Sequence, residues 1–125
     1  MRDLALSQLR LNNVKTVPWL ILVPRRADVS EIHQLSTADR ALLIEEIAQA
    51  SNALSELYTP DKINVAALGN IVPQLHVHVI ARFATDAAWP GPVWGKIAPE
   101  AYEAGAVEEM RIKINPERYW KNNPI

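Results

Sequence analysis

Between Ser36 and Tyr58 the apolar residues change their spacing, and no other part of the chain carries so long a helical signal. Leu43, Ile47, Ala50, Leu54 and Leu57 recur three and four apart, which places them on one face of a helix. The spacing predicts a helix over 37–57, about 20 residues or some 30 Å long. Ser36 is the expected N-cap, and Asp39 stands three residues on, where a capping box carries Glu or Gln. Pro60 and Asp61 end the helix, since proline cannot continue it and aspartate favours a turn.

The flanking segments are short and bounded by turn residues. "LRL" at 9–11 alternates, "NNVKTVP" supplies a turn, and "WLILV" at 19–23 is apolar throughout, which reads as a hairpin with a buried second strand. After the helix, "INVAAL" is expected as a strand, "GN" as a turn and "QLHVHVIAR" as the next strand, an antiparallel pair joined by a tight glycine turn. "APEAYEAGAVEEMRI" at 98–112 is expected as a helix, with Ala106, Met110 and Ile114 four apart, although Gly105 counts against it. Strands, one long helix, strands and a C-terminal helix argue an α+β fold with an antiparallel sheet.

A chain of 125 residues, 49% hydrophobic, fits a single domain spanning 1–125 with one sizeable core. Thirteen Lys plus Arg against fourteen Asp plus Glu give a net charge of −1, which offers no general field for nucleic acid or an anionic membrane. The absence of cysteine removes disulfides, thiolate metal sites and a cysteine nucleophile together. "VPWLILVP" is too short to span a bilayer, and "MRDLALSQLRLNN" lacks the unbroken apolar core of a signal peptide. A soluble, untargeted, cytoplasmic protein is expected.

The chemistry concentrates in "VPQLHVHVIAR", residues 72–82, which holds two of the three histidines. In a strand, Leu75, Val77 and Val79 face one side while Gln74, His76 and His78 face the other, roughly 6.5–7 Å apart along the row. Such a pair can be solvated polar residues on a sheet face. It can share a metal ion, but a site needs a third or fourth ligand, and His33 is the remaining histidine, just before a helix cap where a structural role is commoner. Or one imidazole can attack an electrophile that its neighbour holds. Imidazole suits phosphoryl chemistry because a reference pKa of about 6.5 leaves much of it unprotonated near neutrality. Gly69, which permits close backbone approach, and Asn70, an amide donor, stand ahead of the pair as candidate phosphate-binding groups.

"GNIVPQLHVHVIAR" resembles the signature of the histidine-triad (HIT) superfamily of nucleotide hydrolases and transferases, His-φ-His-φ-His-φ-φ with φ apolar. Here it stands as Gln74-Leu75-His76-Val77-His78-Val79-Ile80, with glutamine at the first position. Gly69 and Asn70 fall where the family often has Gly-Gln, and Arg82 follows as an arginine commonly does. "LNNVKTVPWLILVPRR" resembles the family's hairpin and "EIHQLSTADRALL" its loop and long helix, so the resemblance covers roughly residues 9–82 in order. "WPGPVWG" resembles a bacterial subgroup.

The resemblance implies a HIT-like antiparallel sheet of about five strands with one long helix and a C-terminal helix. It implies that His76 attacks a nucleoside phosphate in a dinucleoside polyphosphate, phosphoanhydride or phosphoramidate, giving a nucleotidyl-histidine that water hydrolyses. His78 would bond phosphate oxygens, Gln74 would be a supporting group, Asn70 and Gly69 would meet phosphate, and Asn12 or Asn13 would meet ribose hydroxyls. No cofactor or metal is required. The implied partners are a nucleotide substrate and a second copy in a homodimer, with no nucleic acid or membrane. The alternative is a nucleotide-binding module with little turnover, followed by a His-x-His metal-binding protein. Trp89 and Trp94 are expected to pack within the monomer or a dimer interface rather than cover a nucleobase, Trp19 to lie in the core and Trp120 to anchor the tail.

Overall fold

The computed structural model describes residues 2–97 and 100–121. Five strands form one antiparallel sheet in the order β1-β2-β3-β5-β4, comprising β1 (Arg2–Asp3), β2 (Ser7–Leu11), β3 (Trp19–Pro24), β4 (Lys62–Ala66) and β5 (Val77–Arg82). The expected hairpin is present, Leu9 pairing with Leu22 and Leu11 with Leu20. β3 then pairs with β5, Ile21 opposite His78, and β5 with the edge strand β4, Ala66 opposite His78.

Helix α1 (Thr37–Tyr58) begins where the sequence places it, with the Ser36 side chain accepting a hydrogen bond from the Asp39 amide. The Asp39 carboxylate does not complete a capping box; Arg26 takes both its oxygens, at 2.7 and 3.0 Å. α1 lays Leu43, Ala50, Ala53 and Leu54 on the sheet against Leu9, Leu20, Leu22, Val77 and Val79. Each of the leucine and valine side chains contributes about 1.5–3 kcal/mol on burial. Glu46 is fully buried in the same face because its carboxylate accepts from the Leu6 and Ser7 amides in the β1–β2 turn.

Helix α2 (Ala106–Ile114) is shorter than expected. Gly105 is its N-cap at φ 91°, a left-handed conformation that glycine adopts freely, so residues 100–104 stay outside the helix. Ala98 and Pro99, which open the expected helix, lie outside the described residues. Met110 and Ile114 bury against the main core, as do Tyr119 and Trp120, and the Trp120 indole donates to the Ile114 carbonyl at 2.8 Å.

A second, smaller core lies on the other face of the sheet. Val17, Trp19, Ile80 and Val93 are buried there, with Ile21, Trp94 and Ile97 packed against them. Residues 83–97, which carry Trp89 and Trp94, therefore cover part of the face opposite α1.

The expected tight turn between β4 and β5 is not formed. Residues 67–76 make an irregular connection, and the strand pairing begins only at Val77. Gly69 does take a positive φ of 80°, but the segment then runs beside the β3–α1 connection, where the Leu75 amide donates to the Val29 carbonyl at 2.9 Å.

Candidate active site

β5 sorts the two histidines from the core by alternation. Val77 and Val79 point toward α1, whereas His78 and Ile80 point to the opposite face. His76 sits one residue before the strand, half-buried and on the His78 side. The two imidazole rings stand edge to face with centroids 5.1 Å apart, close enough to address one small group.

Gln74 supports this geometry in two ways. Its side-chain amide donates to the Pro24 and Arg26 carbonyls at 3.3 and 3.4 Å, which ties the segment to the end of β3. Its own carbonyl stands 2.7 Å from Nδ1 of His76. A carbonyl only accepts, so Nδ1 carries the proton and Nε2 of His76 holds the free lone pair.

His78 is buried, and its Nδ1 accepts from the Trp19 indole at 2.9 Å. Burial, reinforced by the neighbouring His76, lowers its pKa to about 4, so the imidazole is neutral at pH 7. Trp94 lies edge-on to His78 with centroids 5.1 Å apart, and also to Trp19 at 5.7 Å.

Two cavities meet at His76. One, of about 310 Å³, is lined by Arg10, Ile21, Val23, Val72, Gln74 and His76. The other, of about 250 Å³, has Gly69, Asn70, Ile71 and Val72 on one side and His76, His78 and Trp94 on the other. The sequence-predicted His76, His78, Gln74, Gly69 and Asn70 are thus brought together. Asn12 extends the Arg10 row of β2 on the histidine face, its backbone N–H donating to the Trp19 carbonyl at 2.9 Å. Asn13 is not brought to the histidines, because its side-chain oxygen accepts from the Tyr102 amide at 3.0 Å. His33 is exposed on a short 3-10 turn (Ile32–Gln34). Among the described residues, no cluster of three or more His, Cys, Asp or Glu is arranged to hold a metal ion.

The HIT domain family matches residues 3–85. The chain belongs to the HIT family. Its members are generally nucleotide hydrolases and transferases. The HIT domain here is 47% identical to a histidine triad protein from Bradyrhizobium japonicum, over 94% of this chain and 87% of that one, with a TM-score of 0.88. A histidine triad protein from Sinorhizobium meliloti 1021 matches at 46% identity, over 90% of this chain and 83% of that one, with a TM-score of 0.87. One from Marinobacter aquaeolei VT8 matches at 44%, over 91% and 83%, with a TM-score of 0.88. Among curated proteins none matches. In this HIT domain no helix among the described residues is long and apolar enough to cross a membrane.

Trp94, Trp19 and Arg10 stand at the site although the sequence did not assign them there. Trp94 and Trp19 were expected as packing residues, which they also are. Their contact with His78 depends on β3 pairing with β5 and on the path of the tryptophan loop, neither of which leaves a local pattern.

Proposed function

We propose that this HIT domain hydrolyses a phosphoanhydride or phosphoramidate bond in dinucleoside polyphosphates or nucleoside phosphoramidates, through a nucleotide carried covalently on His76. The observation that carries this reading is the Gln74 carbonyl on Nδ1 of His76, which leaves Nε2 as a lone pair at the junction of two cavities.

Nε2 attacks the phosphorus that bears the nucleoside. A P–N bond forms as the bond to the leaving group breaks, and the leaving group departs with the electron pair and takes a proton from solvent. The resulting imidazolium keeps its Nδ1 proton on the Gln74 carbonyl, whose dipole opposes the positive charge. Water then attacks phosphorus, the P–N electrons return to Nε2, and the nucleoside monophosphate leaves as the water's proton passes to solvent. His78 and Asn70 donate to the phosphate oxygens, with Gly69 allowing close backbone approach.

The cavity walled by Ile21, Val23 and Val72 suits the nucleoside, and Asn12, on the same face, is the better candidate than Asn13 for ribose. Gln74, at the first position of the triad pattern, serves through its backbone carbonyl and its anchoring amide. The free side of the edge strand β4, with Val65 nearly half exposed, suits pairing with a second copy. A chain without cysteine acting on nucleotides fits a cytoplasmic location.

The test is incubation with diadenosine polyphosphates, adenosine phosphoramidate and a fluorogenic nucleotide ester, with rapid-quench trapping of nucleotidylated protein. Turnover with a trapped adduct that disappears in His76→Ala is expected. Nucleoside monophosphate binding with no turnover of any substrate would instead make the domain a binding module. Sedimentation reports the oligomeric state.

A further inference from the structure

We propose that Trp19 is a positioning residue whose indole N–H holds His78 as the Nε2–H tautomer, so that His78 serves phosphate as a neutral donor and never as an acid or base. What that donor is for rests on the hydrolase reading above; the lock itself is a property of two side chains.

The indole N–H can only donate. It points at Nδ1 of His78 from 2.9 Å, between two buried side chains, so Nδ1 must present its lone pair. The neutral ring then carries its proton on Nε2, the nitrogen left for the cavity that His78 lines with Gly69, Asn70 and His76. Protonating His78 would put a second hydrogen between Nδ1 and the indole and oppose two donors, so the cation forms only if the bond breaks.

The surroundings offer the cation no compensation. His78 has His76, just ahead of its strand, on one side and Ile80 on the other; β3 presents Ile21 and Trp19, β4 presents Ala66, and the tryptophan loop presents Trp94. Of these groups only His76 can carry a charge, and that charge repels a second one on His78. Arg82, further along β5, is already engaged by Asp86. Burial and then the neighbouring His76 lower the His78 pKa to about 4, and the indole bond, which blocks Nδ1, acts in addition to both. The division of labour follows from two backbone-fixed partners: the Gln74 carbonyl makes His76 a nucleophile at Nε2, and the Trp19 indole makes His78 a donor at the same ring position.

The experiment is nitrogen-15 NMR of the full chain labelled at histidine, read across pH 5–8, on the unaltered protein and on two variants. One is Trp19→Phe; the other replaces Trp19 by 3-benzothienylalanine, which keeps the ring shape and deletes only the N–H, so a packing defect in the first variant is distinguished from loss of the bond. In the unaltered protein Nδ1 of His78 is expected as the unprotonated nitrogen, Nε2 as the protonated one, with no titration in that range. In both variants His78 is expected to lose its single tautomer; its pKa should rise from about 4 but stay below the ordinary value, because burial and His76 still act on it, and it should add an ionisation to the acid limb of kcat/KM. The kcat should fall about 10- to 100-fold, as when other groups that orient an imidazole are lost, with KM little changed. Trp94→Phe, which removes an edge contact but no hydrogen bond, is expected to leave the tautomer as it was.

A single Nε2–H tautomer of His78 retained in both Trp19 variants would overturn the proposal, and so would equal release in Trp94→Phe. A locked tautomer in a domain that turns over no nucleotide would remove the hydrolase reading and leave the lock. Normal turnover with a freely titrating His78 in the unaltered protein would do the reverse.

Discussion

Arg82 and Asp86 form an ion pair of 2.8 Å with only 2% and 4% of their side chains exposed. Asp86 also accepts from the Phe83, Ala88 and Trp89 amides, while Arg82 reaches the Gly91 carbonyl and Asn64. The end of β5 is thereby fastened to the start of the loop that brings Trp94 onto His78. Asp86→Ala leaves a buried guanidinium without its carboxylate, which costs about 3–5 kcal/mol. Urea denaturation should show that loss, and tryptophan fluorescence should shift toward that of a solvated ring.

The same pair sets a pH dependence. Hydrogen bonding to Arg82 lowers the Asp86 pKa to about 2, below its unfolded value of about 3.9. Its contribution is complete above the unfolded pKa and is lost as pH falls through that window toward 2. Glu46 works in the other direction, since burial raises its pKa and the native state gains relative stability as that carboxyl takes up its proton. Thermal melts of Asp86→Asn between pH 5 and 2 should show a shallower acid loss than the unaltered protein.

His76→Ala removes the proposed nucleophile from a half-buried position. Turnover should fall by roughly 10⁴ or more, the scale seen when a covalent nucleophile is deleted, while stability changes by about 1 kcal/mol or less. Steady-state kinetics beside a denaturation curve checks both. Retention of most activity would take the nucleophile's role from His76.

Asn70 is exposed and lines one cavity with both histidines. Asn70→Ala should lower kcat about 10²-fold, as for loss of one donor to a developing charge, without changing the melting temperature. Asn70→Asp keeps the size and adds a negative charge, so it should weaken binding of nucleoside monophosphate more than the alanine variant does.

Nucleoside monophosphate should stabilise the domain whether or not it turns substrate over, by about 2.7 kcal/mol at a concentration 100 times its Kd. Thermal shift against ligand concentration measures this. A melting temperature that does not move with any nucleotide would leave both the hydrolase and the binding-module readings without support.

The features legible in the sequence were those with a local period. The α1 face from Leu43 to Leu57 and its Ser36 cap need no distant partner to be recognised. Nor does the alternation that puts His76 and His78 opposite Val77 and Val79. Gly69 was misleading: the Gly-Asn pair suggested a hairpin turn, and Gly69 does take a left-handed backbone, but the bonds from Leu75 and Gln74 to the end of β3 and the β3–α1 connection carry the chain along another path. Gly105 similarly moved the start of α2, because its capping conformation outweighed an apolar spacing that extended only forward from Ala106. Trp19 read as core and is buried, yet its hydrogen bond to His78 spans 59 residues of chain. Glu46 is buried for a reason equally distant, the amides of Leu6 and Ser7.

Alternation along β5 makes this protein unequally tolerant of changes in length. A residue gained or lost within 77–82 would turn imidazole toward α1 and valine toward the cavities, exchanging chemistry and packing in one step. The irregular stretch 67–72 can absorb such a change before the Leu75 and Gln74 anchors restore the phase. Length variation among functional relatives should therefore accumulate ahead of Pro73 and stop short of Val77.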